Sequence, residues 1–258
     1  MIFDSHAHYD DEAFDPDRRE LLEECRAQGI EYIVNVSASL QSVKTTLALA
    51  DSYDFIYAAA GVHPSEVGEL NEESFTWLKE QCRHPRTVAV GEIGLDYYWD
   101  TEKHEVQKYW FRRQLELAKE LELPIIVHSR EACADTLEEI KKAHTPELCG
   151  VIHCFSYAPE IAREYLDMGY YIGVGGVVTF KNAKKLKEVV KMLPPERILL
   201  ETDCPYLAPV PYRGKRNSSL NLPYVAAAVA ELKGMETEEV IRITNENARK
   251  LYFQGRGL

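Results

Sequence analysis

The chain has 258 residues, 45% hydrophobic and 28% charged, ordinary globular proportions that exclude a disordered or fibrous protein. At this length one or two domains are expected, and a barrel of alternating strands and helices occupies about 250 residues as one unit. Thirty Lys and Arg against 42 Asp and Glu leave a net charge of −12, which argues against a protein that coats nucleic acid through a broad basic face. No apolar run approaches the ~20 residues that span a bilayer. The N-terminal MIFDSHAHYDDEAFD places acids where a signal peptide needs a basic start. Six cysteines without a CxxC pair suggest reduced thiols. The expectation is a cytoplasmic protein, with no membrane association and no obligate protein partner.

Short apolar runs alternate with polar, helix-favouring stretches along the chain. IFDSH (2–6) precedes a helical pattern over 17–28, and YIVNV (32–36) precedes one over 41–53 that Ser39 and Ser42 can cap. FIYAAAGVH (55–63) and TVAVGE (87–92) follow, then a helix over 105–122. PIIVHS (124–129) leads into 131–143, and GVIHCF (150–155) into 159–168, with Pro159 near its start and Gly169 past its end. YYIGVGG (170–176) is followed by a lysine-rich stretch, 181–191, that reads as a helix with a solvated basic face. ILLETD (198–203) is the eighth run, and helices over 224–233 and 237–251 would close the outer ring. Eight strands separated by helices imply a parallel sheet covered on both faces. Closure into a (β/α)8 TIM barrel is expected, because the rival doubly wound sheet wants a glycine-rich phosphate loop after the first strand and none follows His6. No linker or composition break divides the chain, so a single domain over 1–258 is expected, with the closing KLYFQGRGL read as native sequence.

The ionisable residues fall at the ends of these runs. His6 and His8 close the first, His63 the third, Glu92 the fourth, His128 the fifth and Asp203 the eighth, while His153 lies near the end of the sixth. Strand ends at the C-terminal face of a barrel line its mouth, so seven possible metal ligands converge there. A lone histidine at a strand end is usually a hydrogen-bonded core residue. Five of eight histidines at such ends, with two carboxylates at others, form a metal-site pattern; His84, His104 and His144 sit in charged, solvated surroundings. Residues i and i+2 on a strand share a face, so His6 and His8 can reach one ion. Imidazole and carboxylate ligands suit Zn2+ or Mn2+, with Mg2+ less favoured by so many nitrogens. Six ligands exceed one tetrahedral ion, and a pair of divalent ions about 3.5–4 Å apart, bridged by Glu92, is the natural solution. With neutral histidines, Glu92 and Asp203 against two such ions would leave the mouth at +2, suited to a phosphate.

Jointly, DSHAHYD, GVHP, GEIGLDYY, PIIVHSR, HCFS, LLETDCPYLAP and YRGKRN resemble the TatD-type metal-dependent deoxyribonucleases of the amidohydrolase superfamily. The resemblance runs from Ile2 to NENARKLYF. It implies a (β/α)8 barrel and hydrolysis of DNA phosphodiester bonds, often as a 3′ to 5′ exonuclease. It also implies one ion on His6, His8, Glu92 and Asp203, a second on Glu92, His128 and His153, Asp203 as general base, and His63 on the phosphate. One departure is Tyr157, where the family's HCFSG has glycine.

Other residues have two readings each. Tyr97, Tyr98 and Trp99 can stack on bases or pack the rim; Arg130 can fork onto phosphate or pair with Glu131 or Asp135. Arg213, Lys215 and Arg216 form a basic loop that suits a polyanion or is merely solvated. Cys154 and Cys204 should turn away from the mouth by strand alternation and serve packing. An alternative activity is hydrolysis of carboxylic ester or C–N bonds, such as aminoacyl-tRNA deacylation. Many superfamily members of that kind bridge their metals through a carbamylated lysine at the end of strand four, and TVAVGE has none. A purely structural metal site would more often be closed by cysteines.

Overall fold

The computed structural model describes residues 1–99 and 102–253; the closing GRGL and the residue before it lie outside that range. Eight strands run in parallel in chain order: β1 (Ile2–Ala7), β2 (Ile30–Val36), β3 (Ile56–Ala60), β4 (Thr87–Asp96), β5 (Ile125–Arg130), β6 (Gly150–Ile152), β7 (Tyr171–Val174) and β8 (Ile198–Leu200). The segment after β8 closes the barrel onto β1. Ala7 and Cys204 form a parallel bridge, the Asp203 N–H donates to the His6 carbonyl and the His8 N–H to the Cys204 carbonyl, each at 2.9 Å. The fold is therefore the (β/α)8 barrel that the alternation predicts. No helix of the described residues is long and apolar enough to cross a membrane.

The outer ring contains α1 (Arg18–Ala27), α2 (Leu40–Ser52), α3 (Glu72–Cys82), α4 (His104–Leu121), α5 (Cys133–Ala143), α6 (Pro159–Asp167), α7 (Lys184–Met192) and α8 (Leu222–Lys233), with α9 (Thr237–Phe253) after them. Ser39 caps α2 by accepting from the Ser42 N–H at 3.1 Å. Asn71 and Ser74 cap α3 reciprocally, a helix absent from the sequence reading. The lysine-rich helix starts only at Lys184; the chain between β7 and it first makes a short 3-10 turn at Gly176–Thr179.

Strand alternation sends at least one residue per strand, Phe3, Val34, Tyr57, Val88, Ile126, Val151, Tyr171 and Leu199, with Val36, Ala59 and Ala89 beside them, into one apolar cluster inside the barrel. Leu251, Tyr252 and Phe253 of α9 join it, and the Tyr252 hydroxyl donates to the Ser5 carbonyl at 3.2 Å. The end of α9 thus plugs the barrel floor rather than only completing the outer ring. Each buried ring contributes on the order of 1.5–3 kcal/mol.

Candidate metal centre at the barrel mouth

Above this floor the same strands carry the polar groups. β1 presents His6, and His8 follows its end; β4 presents Glu92 and β5 His128. Four of the expected strand-end residues lie past their strands. His8 is the first residue after β1, His63 is beyond β3, His153 is the first residue after β6, and Asp203 sits three residues past β8 with φ +56°. These strands are shorter than their apolar runs because the chain leaves the ladder to turn the side chains over the mouth. A cleft of about 380 Å³ there is lined by His8, His63, Glu92, His128, His153 and Asp203, with Asp10 and Tyr206 at its edge.

Glu92 is buried at the centre of this group. Its Oε2 lies 3.3 Å from His6 Nε2 and 3.7 Å from His8 Nε2. Asp203 Oδ1 lies 3.3 Å from His8 Nε2 and 3.6 Å from His6 Nε2, and the two imidazole nitrogens are 3.0 Å apart. The other oxygen, Oε1, is 2.8 Å from His128 Nδ1 and 2.9 Å from His153 Nε2, with His63 Nε2 at 3.8 Å. All seven residues singled out from the sequence meet in one place.

The donor set fits divalent cations. Ligands ~2.1 Å from a tetrahedral ion stand roughly 3.4 Å apart, within the 3.0–3.7 Å spread of the His6, His8, Glu92 and Asp203 atoms. Two of the imidazoles, His8 and His128, are also held in the orientation that ligation needs. His8 Nδ1–H donates to the Val36 carbonyl at 2.7 Å, leaving the Nε2 lone pair toward the cluster. His128 Nε2–H donates to Asp96 Oδ2 at 3.0 Å, leaving Nδ1 toward Glu92. His6, His8 and Asp203 on one side, and His63, Glu92 and His128 on the other, are compact enough to hold an ion each.

The electrostatics reflect the crowding of charge. Burial alone would raise the Glu92 pKa, but the charges of His153 and His6 and hydrogen bonds from His128 and His153 hold it well below the usual range. Burial opposes protonation of His8 and His153, yet Asp203 lifts the first to about 9 and Glu92 the second to about 10. His6 goes the other way, to about 4, through burial and the neighbouring His153.

Three carboxylates at this site were missed from the sequence. Asp96 is buried and orients His128; as residue i+4 from Glu92 on β4 it shares Glu92's face, and reading that run to its end would have found it. Glu201, two residues before Asp203, is fully buried behind His153, its Oε1 accepting from the Cys154 N–H and standing 3.8 Å from His153 Nδ1. Burial pushes its pKa up to about 7. Asp10 accepts from Ser42 Oγ at 2.6 Å and Asn35 Nδ2 at 2.8 Å. The +2 expected for the mouth therefore does not stand: Asp10, Glu92, Asp96 and Asp203 together would offset two divalent ions.

The remaining candidates are placed differently from one another. The Arg130 guanidinium pairs with neither Glu131 nor Asp135 but lies 3.9 Å over the Tyr98 ring and 5.5 Å from that of Trp99. Tyr98 and Trp99 are 52% and 71% exposed. Tyr97 is no free platform: its ring stacks on His104 at 3.5 Å and its hydroxyl donates to Asp135 at 2.7 Å. Arg213 stands 4.5 Å over the Phe180 ring, away from the cleft, whereas Arg216 is taken up by Asp17 and the Ala13 carbonyl. Tyr157 points back to Ser129 Oγ at 2.9 Å. Cys204 is buried as expected, but Cys154 is not on a strand; at φ +45° it opens into a neighbouring cavity. Burial and the nearby carboxylates keep its thiol protonated.

A (β/α)8 barrel with a histidine–carboxylate cluster at the C-terminal ends of its strands defines a metal-dependent hydrolase. Within that class the chain belongs to the TatD related DNase family, which matches residues 3–253. It is 46% identical over 252 residues to the metal-dependent hydrolase YabD of Bacillus subtilis, with 98% of this chain and 99% of that one covered. The crystal structure of YjjV, a TatD homolog from Escherichia coli K12, matches with a TM-score of 0.92 and 32% identity over 98% of each chain. A TatD family hydrolase from Entamoeba histolytica matches with a TM-score of 0.88 at 25% identity, again over 98% of each chain.

Proposed function

We propose that this protein hydrolyses DNA phosphodiester bonds with two divalent cations, one held by His6, His8, Glu92 and Asp203 and the other by Glu92, His128 and His153. The carrying observation is the division of Glu92, with one carboxylate oxygen toward each histidine group. Zn2+, Mn2+ and Mg2+ all suit oxygen and imidazole donors, the first two best. When bound, such ions supply Lewis acidity to water and to the phosphoryl oxygens.

The protein's own groups then have distinct tasks. The Asp203 carboxylate receives the proton of the attacking water. Burial works against its ionisation, but the His8 hydrogen bond and the surrounding imidazoles keep it charged at neutral pH, and its backbone is pinned through the Asp203 N–H to the His6 carbonyl. His63 accepts from the Ser65 N–H at Nδ1, which leaves Nε2–H to donate to a phosphoryl oxygen. Burial lowers its pKa to about 4, so it acts as a neutral donor. Arg130, preset by its stacking on Tyr98, offers its fork to the phosphate of an adjoining nucleotide. A cleft of this size takes one phosphodiester at a time, which suits removal of nucleotides from an end, in the 3′ to 5′ direction that the family resemblance implies. The six free thiols suit a reducing compartment, and we place the reaction in the cytoplasm.

Metal-loaded protein incubated with end-labelled single-stranded DNA, and in parallel with aminoacylated tRNA, tests this reading. A ladder of shortened DNA with intact aminoacyl-tRNA is expected; deacylation without DNA cleavage overturns it in favour of a carboxylic ester hydrolase.

A further inference from the structure

A second cavity, of about 570 Å³, opens at the same end of the barrel, between the loop after β6 and the segment joining β7 to α7. It abuts the metal cleft: His153 lines one and its neighbour Cys154 lines the other. Its walls are apolar, with Phe155, Phe180 and Leu186, and its rim carries Asn182, Lys184 and Lys185. Gly173 and Gly175 line it as well; a Cβ on Gly173 would stand 2.3 Å from the buried Glu201 carboxylate, so the glycine leaves room for Glu201 behind the cavity. Lys184 and Lys185 are exposed and form no ion pair with a described residue, although the chain as a whole carries −12. Arg213, over the Phe180 ring, adds a third cation at the same edge.

We propose that this cavity is a nucleobase subsite, holding the base of a nucleotide next to the one whose phosphodiester lies in the cleft. The inference rests on the phosphodiesterase reading. A planar base has an apolar face for Phe180 and polar edges for the Asn182 amide, the arrangement by which single nucleic-acid strands are held on proteins. The charge balance points the same way. Cleft carboxylates offset the two cations, so attraction for the polyanion falls to cations around the mouth, Arg130 on one side and Lys184 and Lys185 at this rim.

The test compares intact oligonucleotides with ones carrying an abasic residue on either side of the scissile phosphate, using the metal-loaded full chain. At one flanking position the abasic residue should raise KM about 5- to 100-fold in the unaltered protein. Phe180→Ala should raise KM for intact DNA by a similar factor, remove the abasic penalty and leave kcat nearly unchanged. Ser156→Trp, which fills the cavity from its exposed side, should do the same without touching the core. Lys184→Glu with Lys185→Glu should raise KM for both substrates and flatten its salt dependence. Methyl p-nitrophenyl phosphate, a phosphodiester without a base, should be turned over equally by all variants. If it is, and the abasic penalty is the same in every variant, the subsite is overturned while the parent activity stands. If neither phosphodiester is cleaved, the parent reading fails, and a 2-aminopurine oligonucleotide still decides the subsite by equilibrium fluorescence with the metal-free full chain. Quenching that Phe180→Ala abolishes supports it; equal quenching in both proteins, or none, overturns it.

Discussion

The two ends of this barrel are built by the same eight strands and behave in opposite ways. At the floor, apolar side chains from all eight strands cluster with Tyr252 and Phe253 of α9. At the mouth, Glu92 and Asp203 are crowded among five imidazoles whose protonation depends on one another. The floor draws stability from area removed from water. The mouth confines buried charges that are costly unless paired or metal-bound. Stability and chemistry are thus separated along the barrel axis, and changes at one end should leave the other intact.

The sharpest test of that separation is Asp203→Asn. It should lower kcat on DNA by roughly 10²–10⁴ while the thermal midpoint of the metal-free protein hardly moves; a loss confined to KM would reassign Asp203 to binding. Phe253→Ala should do the reverse, removing about 3–5 kcal/mol of stability in urea titrations, with kcat at low temperature close to unaltered. A collapse of kcat in that variant at temperatures where it stays folded would break the separation. Asp96→Asn is a finer cut within the mouth. With the His128 tautomer no longer enforced, affinity for the second ion should fall roughly 10- to 100-fold, read by metal titration, while a change in stability alone would leave Asp96 a structural role. The smallest effect is on pH. Because His8 and His153 are raised to about 9 and 10, protons and cations compete for the same nitrogens near neutrality. Metal affinity should therefore rise from pH 6 to 8.5, with proton release on binding. Affinity that is flat over that range would contradict this competition, while the apolar floor gives no such dependence.

Much of the barrel could be read from the chain because short apolar runs alternating with helix-favouring stretches admit few other folds. The mouth was legible for the same reason, since every residue placed there sits at or just past the end of an apolar run. Failures arose where local pattern ends. β6 and β8 stop after three residues each, so alternation says nothing about Cys154, whose left-handed backbone turns it into the second cavity. Asp96 lies beyond the TVAVGE run as read, and Glu201 within ILLETD was not singled out, because burial next to a histidine from another strand is invisible along the chain.

Periodicity and residue chemistry by themselves determined the barrel, the side of it that carries the donors and the identity of those donors, since these follow from local conformational preference and the composition of each run. The tertiary structure alone decided which carboxylate oxygen faces which imidazole, that Asp96 orients His128 and Glu201 sits behind His153, that α9 seals the floor and that a second, lysine-rimmed cavity adjoins the first. Those features depend on contacts between segments far apart in the chain (the Tyr252 hydroxyl and the Ser5 carbonyl are bonded across 247 residues), and only closure of the sheet brings such segments within hydrogen-bonding reach.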